Sequence, residues 1–263
     1  MQISGSTVLL TGATGGIGLA IASALASRGA NLIVTGRRRD VLDPLVAEHG
    51  GRALAVDLAV RADVERLLQE AGDVDILVAN AALPAAGVLE SFTVDEIDRA
   101  LDVNMRAPIM LAHGLAPAMV AKGRGHLLFT SSLLGKASSP GTAIYSATKF
   151  GLRGFASALR ADLRETGVGV SVVFPGIIRE AGMFAEANVD LPTGVGTSSP
   201  EEVASGVVAA IERNRGEVDV APLSSRVLAG LGGLAPEFSA GLMRRLGASD
   251  MMRKVAAGQR DKR

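Results

Sequence analysis

Tyr145 is the single tyrosine of this chain, and Lys149 follows it in the stretch GTAIYSATKFG, residues 141 to 151. On a helix, positions i and i+4 share a face, so a phenol and an ammonium at this spacing open onto one site. A free phenol has a pKa of about 10 and releases its proton poorly at neutral pH; a neighbouring cation favours the phenolate and lowers that value. The pair is therefore a candidate proton-transfer group.

A second chemical feature is the run TGATGGIG, residues 11 to 18. Its glycines at 12, 16 and 18 permit a tight turn and let backbone N–H groups approach a pyrophosphate at the start of a helix, where an anion is favoured. The spacing is G-x-x-x-G-x-G, not the more familiar G-x-G-x-x-G. Further on, a predicted strand runs into TGRRR. A site for NAD places Asp or Glu there to hold the ribose hydroxyls. Here Gly36 is followed by Arg37, Arg38 and Arg39. A guanidinium suits a 2′-phosphate, so NADP(H) is expected over NAD, with Arg37 as the contact and Arg38 and Arg39 as a solvated helix start.

These residues need elements to hold them. Short β-branched runs recur between alanine-rich segments of helical spacing: TVLLT (7 to 11), NLIVT (31 to 35), ALAV (53 to 56), DILVA (75 to 79), HLLFT (126 to 130), VSVVF (170 to 174) and EVDVA (217 to 221). Near-continuous apolar strands alternating with helices indicate a parallel sheet covered on both faces. The expected fold class is α/β: a single doubly wound Rossmann-type domain with a seven-stranded parallel sheet, over residues 1 to 223. Residues 224 to 263 form a basic, helical extension, with eight Lys or Arg against three acids. This tail reads as an amphipathic helix pair that packs on a partner subunit or touches anionic membrane, or as a solvated terminus. Residues 180 to 199, EAGMFAEANVDLPTGVGTSS, lack periodicity and read as a lid over an apolar ligand or as a long surface loop.

Composition excludes several functions. Lys plus Arg (27) balances Asp plus Glu (27), which removes the field of a dedicated nucleic-acid binder. There is no cysteine, hence no disulfide, thiol nucleophile or thiolate metal site. The three histidines, His49, His113 and His126, have no ligand spacing, so no metal site is expected. Residues 1 to 27 carry no charge but are interrupted by five glycines, with no basic residue ahead of them. The stretch reads as strand, glycine loop and helix instead of a signal peptide or membrane span. The expectation is a cytoplasmic protein starting near Met1.

Taken in order, TGATGGIG at 11 to 18, DL at 57 and 58, NAA at 80 to 82, Asn104, SSLLG at 131 to 135, YSATK at 145 to 149 and PG at 175 and 176 resemble the motifs of the classical short-chain dehydrogenases/reductases. The resemblance covers residues 5 to 221. It implies a catalytic set of Asn104, Ser132, Tyr145 and Lys149. Tyr145 would be the acid or base and Lys149 its partner, also on the nicotinamide ribose. Ser132, chosen over Ser131, would hold the substrate oxygen, and Asn104 would hold a water linking the lysine to solvent. The implied cofactor-binding residues are Thr11, Gly12, Thr14, Gly16, Ile17, Gly18, Arg37, Asp57 at the adenine, Leu58, Asn80 steadying the sheet, Tyr145, Lys149, Pro175, Gly176 and Ile178. One position departs from the family. Four residues beyond Gly176, where the family has a threonine, this chain has Glu180, whose carboxylate must turn away from a diphosphate.

The implied activity is an NADP(H)-dependent oxidoreductase moving a hydride between nicotinamide and a carbonyl or secondary alcohol of a fairly apolar small molecule. An epimerase or dehydratase using the same Tyr–Lys pair, and a catalytically silent NADP-binding regulator, are the alternatives. A homodimer or homotetramer is expected, built on the helices near residues 100 to 121 and 145 to 166.

Overall fold

A computed structural model describes residues 1–182, 196–235, 237, 241 and 255–259. Each apolar run expected to be a strand is one: β1 (Thr7–Thr11), β2 (Asn31–Gly36), β3 (Arg52–Ala55), β4 (Ile76–Ala79), β5 (Gly125–Thr130), β6 (Val168–Pro175) and β7 (Glu217–Val220). They form one seven-stranded sheet in the order β3-β2-β1-β4-β5-β6-β7, every neighbouring pair parallel.

The strand pleat divides the core into two layers. Leu9, Ile33, Leu77, Leu127 and Phe129 face one side. Val8, Leu10, Val34, Ile76, Val78 and Leu128 face the other. With both faces covered, apolar residues run without alternation, as buried parallel strands do. Helices α1 (Gly16–Ala26), α2 (Arg39–His49) and α7 (Pro200–Glu212) cover one layer, and α3 (Arg61–Ala71), α5 (Ala107–Lys122) and α6 (Ala143–Asp162) cover the other. α1 carries no charge because Ile21, Ala22 and Leu25 are buried while α7 packs along it. α7 starts in a capping box between Ser199 and Glu202, and α4 (Val94–Leu101) in one between Thr93 and Glu96. Each satisfies two N–H groups that a helix start leaves unpaired.

Between α4 and α5 the chain makes a π turn at Asp102–Arg106, where the Ala107 N–H donates to the Asp102 carbonyl. Such widened turns shift the side chains that follow them around the helix axis and are frequent at functional sites. The strand order reverses between β1 and β4, so their carboxyl ends open a crevice, which is where a doubly wound sheet binds its ligand. Past β7, α8 (Leu223–Leu234) begins the C-terminal extension, and residues 255–258 are helical. Among the described residues, no helix is long and apolar enough to cross a membrane.

Candidate active site

Helix α6 places Tyr145 and Lys149 on its inner face at one end of a cleft of about 490 Å³. Tyr145 is partly buried, and its phenolic oxygen is hydrogen-bonded to the Ser132 side chain. Ser132 stands just past β5, and its Oγ also accepts the Leu134 N–H at 3.1 Å. The neighbouring serine turns elsewhere, with Ser131 Oγ donating to the Lys149 carbonyl at 3.0 Å and tying α6 to the strand end. Ser132, not Ser131, therefore faces the phenol.

Lys149 is buried, with Nζ donating to the Thr130 carbonyl at 2.9 Å and lying 5.6 Å from the Tyr145 ring centre. Burial pushes the Lys149 ammonium down to about 8. Burial also pushes the Tyr145 phenol up to about 12, against the opposing pull of the Ser132 hydrogen bond. The lowering expected from the lysine and a cationic nicotinamide together is thus not reached with the lysine alone. Desolvation of a phenolate outweighs the cation because Nζ points at a carbonyl and lies over the ring. A neutral, buried phenol at neutral pH is a proton donor.

The cleft continues along the glycine loop. Gly12 has φ 68°, and a Cβ there would lie 2.7 Å from the Ala81 Cα. A Cβ on Gly18 would overlap the Gly12 carbonyl oxygen. Thr14, Gly16, Ile17 and Gly18 line the cleft where α1 begins. Gly18→Ala is expected to force the loop outward, destabilise the fold by about 1–3 kcal/mol and weaken dinucleotide binding more than tenfold. Thermal unfolding and fluorescence titration measure both effects.

Two expected site residues lie behind the wall instead of in it. Thr11 is buried, its Oγ1 accepting the N–H groups of Asn80 and Ala81, each at 3.1 Å. It fixes the end of β4 and does not face the cleft. Asn104 is buried on the π turn and spends its amide on Leu83, accepting from the Leu83 N–H at 2.6 Å and donating to its carbonyl at 3.0 Å. Its side chain thus clamps a cleft loop with one acceptor and one donor site of the amide. Asn80 does steady the sheet, donating from Nδ2 to the carbonyls of Thr11 and Gly12.

At the far end, Arg37, Asp57 and Leu58 line the cleft as expected. Arg38 corrects the reading of a merely solvated residue: it lines the cleft too, and its Nη2 donates to the Thr14 carbonyl at 2.6 Å. Arg39 stays exposed and pairs with Asp43. Pro175, Gly176 and Ile178 form the opposite wall, where Ile178 bridges Ser198. Glu180 points outward, its carboxylate on Arg179 Nε at 3.2 Å, and Ala181 sits against Gly16 in its place. Most of the expected lid, residues 183–195, lies outside the described residues.

A family model described as "short chain dehydrogenase" matches residues 6–191. The chain belongs to the short-chain dehydrogenases. It is 33% identical to a ketoacyl reductase, HetN, of Nostoc sp., over 97% of this chain and 93% of that protein. A short-chain dehydrogenase from Sphingobium yanoikuyae, solved with NADPH, superposes with a TM-score of 0.77 at 30% identity, covering 89% of this chain and 95% of that one. A closed form of serine dehydrogenase with NADP+ gives a TM-score of 0.74 at 27% identity, covering 83% and 95%.

In this short-chain dehydrogenase the cleft also contains residues that sequence reasoning missed. Arg99 and Val103 reach it from α4 and the π turn, Leu83 and Pro84 from the loop after β4, and Gln259 from the C-terminal segment. Arg99 had a faint signal in standing just ahead of Asn104; nothing in the tail's composition singled out Gln259.

Proposed function

We propose that this chain is an NADP(H)-dependent oxidoreductase acting on a carbonyl or secondary alcohol of a fairly apolar small molecule. One observation carries the reading: the buried Tyr145 hydroxyl, bonded to Ser132 and flanked by Lys149, sits at the end of a cleft whose other walls are the glycine loop and Arg37. The residues fit a dinucleotide. Gly12 and Gly18 let the loop pack tightly, since a Cβ on the first would run into Ala81 and one on the second into the Gly12 carbonyl, and the start of α1 offers N–H groups to a pyrophosphate. Arg37 lines the cleft just past the end of β2, and its guanidinium suits a 2′-phosphate.

When bound, the cofactor supplies the carbon that gives or takes the hydride. Tyr145 donates its proton to the substrate oxygen in reduction and accepts it in oxidation. Ser132 hydrogen-bonds the same oxygen and holds it near the phenol. Lys149 keeps a positive charge beside the ring, which favours the anion left when the proton goes. Leu83, Pro84 and Leu134 give the cleft apolar surface for the substrate. The two solved relatives that hold NADPH or NADP+ support the choice of nucleotide, and the relative named a ketoacyl reductase supports a carbonyl substrate. Asn104, through Leu83, and Thr11, through Asn80 and Ala81, act as positioning residues.

Following NADPH absorbance against a panel of ketones and aldehydes, with NADH as control, tests the reading. Arg37→Ala is expected to weaken NADPH about ten- to a hundredfold, the worth of a charge-assisted hydrogen bond, and to leave NADH nearly unchanged. Tighter binding of NADH by the unaltered protein would contradict the cofactor assignment.

A further inference from the structure

Four charged side chains meet at the Arg37 end of the cleft: Arg37, Arg38, Asp57 and Arg99. Arg38 is committed to the Thr14 carbonyl. Asp57 is held from three directions. Its Oδ2 accepts from Arg99 Nη2 at 2.9 Å, its Oδ1 accepts the Ala59 N–H at 3.0 Å, and its own N–H donates to Asp63 Oδ2 at 2.8 Å. Among the described residues, Arg37 has no hydrogen bond or ion pair.

This distribution is selective. Asp57 is the one carboxylate of the cleft wall among the described residues, and Arg37 also acts on it through space, helping to hold its pKa below the usual carboxylate value. Two cations thus compete for one anion, and the contact goes to Arg99, which reaches in from the end of α4. Arg106, the last residue of the π turn, donates to the Ala59 carbonyl at 2.7 Å and braces the same loop from the same helical segment.

We propose that Arg99 is a specificity-determining residue for the phosphorylated nucleotide: by claiming Asp57, it leaves Arg37 available for the 2′-phosphate and cancels the carboxylate charge that would repel it. The proposal rests on the NADP(H) reading above. Without Arg99, the nearest cation for Asp57 is Arg37, so the phosphate would lose its partner and face an uncompensated negative charge. A nucleotide lacking the 2′-phosphate would meet neither penalty, since it carries no charge there to be repelled or to lose a partner.

The test is direct binding of NADPH and NADH, by fluorescence or calorimetry, to the full chain and to Arg99→Gln, Arg99→Lys and the double variant Arg99→Gln/Asp57→Asn. Arg99→Gln is expected to lose about tenfold in NADPH affinity and less than about threefold for NADH, an effect of the size of one partly exposed charge contact. Arg99→Lys keeps the pairing charge and is expected to retain most of the NADPH/NADH ratio. The double variant removes the stray carboxylate and is expected to recover the ratio, even where both affinities drop from the lost adenine contact. Equal losses for the two nucleotides in Arg99→Gln, or a ratio the double variant does not restore, would overturn the proposal, because a purely structural Arg99 would affect both alike. If Arg99→Gln does not fold, the ratios of Arg99→Lys and of the double variant decide the matter. Preference for NADH in the unaltered protein would overturn the cofactor reading together with this one, and it shows before any variant is made.

Discussion

Tyr145→Phe is expected to lower turnover by about a hundred- to ten-thousandfold while leaving the dissociation constant of NADPH within about twofold. The substitution removes one oxygen from a ring whose burial it does not otherwise change. That oxygen is the group bonded to Ser132 and enclosed at the end of the cleft, so the loss falls on the substrate oxygen's proton. The dinucleotide cradle formed by Gly12, Gly16 and Gly18 lies elsewhere in the cleft and is untouched. Ser132 Oγ keeps its bond from the Leu134 N–H, so no neighbouring polar group is stranded. Single-turnover kinetics and a parallel binding titration separate the two quantities. A variant that reduces a good substrate at the unaltered rate would show that another group moves the proton.

Lys149→Met is expected to remove activity to a similar extent and yet not to weaken the fold. Lys149 titrates at about 8 in the structure against 10.5 for an ordinary lysine, because burial penalises the ammonium. Below pH 8 both folded and unfolded chains are charged there, and the folded state carries the whole cost, about 3 kcal/mol. Between pH 8 and 10 the unfolded chain binds more protons at this site than the folded one, so this group's contribution to stability becomes more favourable as pH rises. Methionine fills similar space without the charge, but it leaves the Thr130 carbonyl without its donor, which costs about 1–3 kcal/mol. The net change at pH 7 is therefore a gain of about 1 kcal/mol or none. The clearer sign is in the slope: urea unfolding at pH 7, 8, 9 and 10 should show an upward trend in the unaltered protein that is flattened in the variant. A variant destabilised by several kcal/mol at neutral pH would mean that the ammonium is a net stabiliser and that burial does not depress its pKa. The window stops at pH 10 because above it the raised Tyr145 phenol acts in the opposite sense.

The sheet was readable because nothing obscures it. Runs such as TVLLT and DILVA are apolar on both faces, and each became a strand within one or two residues of the expected limits. Ser132, Tyr145, Lys149, the glycines and Arg37 also fell together in one cleft, since their spacing places them at strand ends and helix starts on the same edge of the sheet. What could not be read was set by tertiary geometry. Thr11 and Asn104 both hydrogen-bond a neighbouring backbone from behind the cleft wall, and no local pattern reveals where an amide or hydroxyl turns. Arg99 precedes and Arg106 ends a π turn, whose extra residue breaks the 3.6-residue periodicity used to assign faces. The direction of the Tyr145 shift depended on the balance between desolvation and a lysine at 5.6 Å, and sequence supplies the charge but not the burial.

The proposed catalysis turns on how the enclosure tunes one phenol, and the chain allows that phenol to be observed alone: it has a single tyrosine and no tryptophan. Ultraviolet titration of phenolate absorbance, with and without saturating NADP+, is the direct measurement. Without added nucleotide, Tyr145 should remain protonated at pH 10.5, where an exposed phenol is about three-quarters ionised, and with NADP+ its ionisation should move below pH 10 as the positive charge of the nicotinamide comes to lie beside it. Titration near 10 under both conditions, unmoved by the nucleotide, would contradict the account.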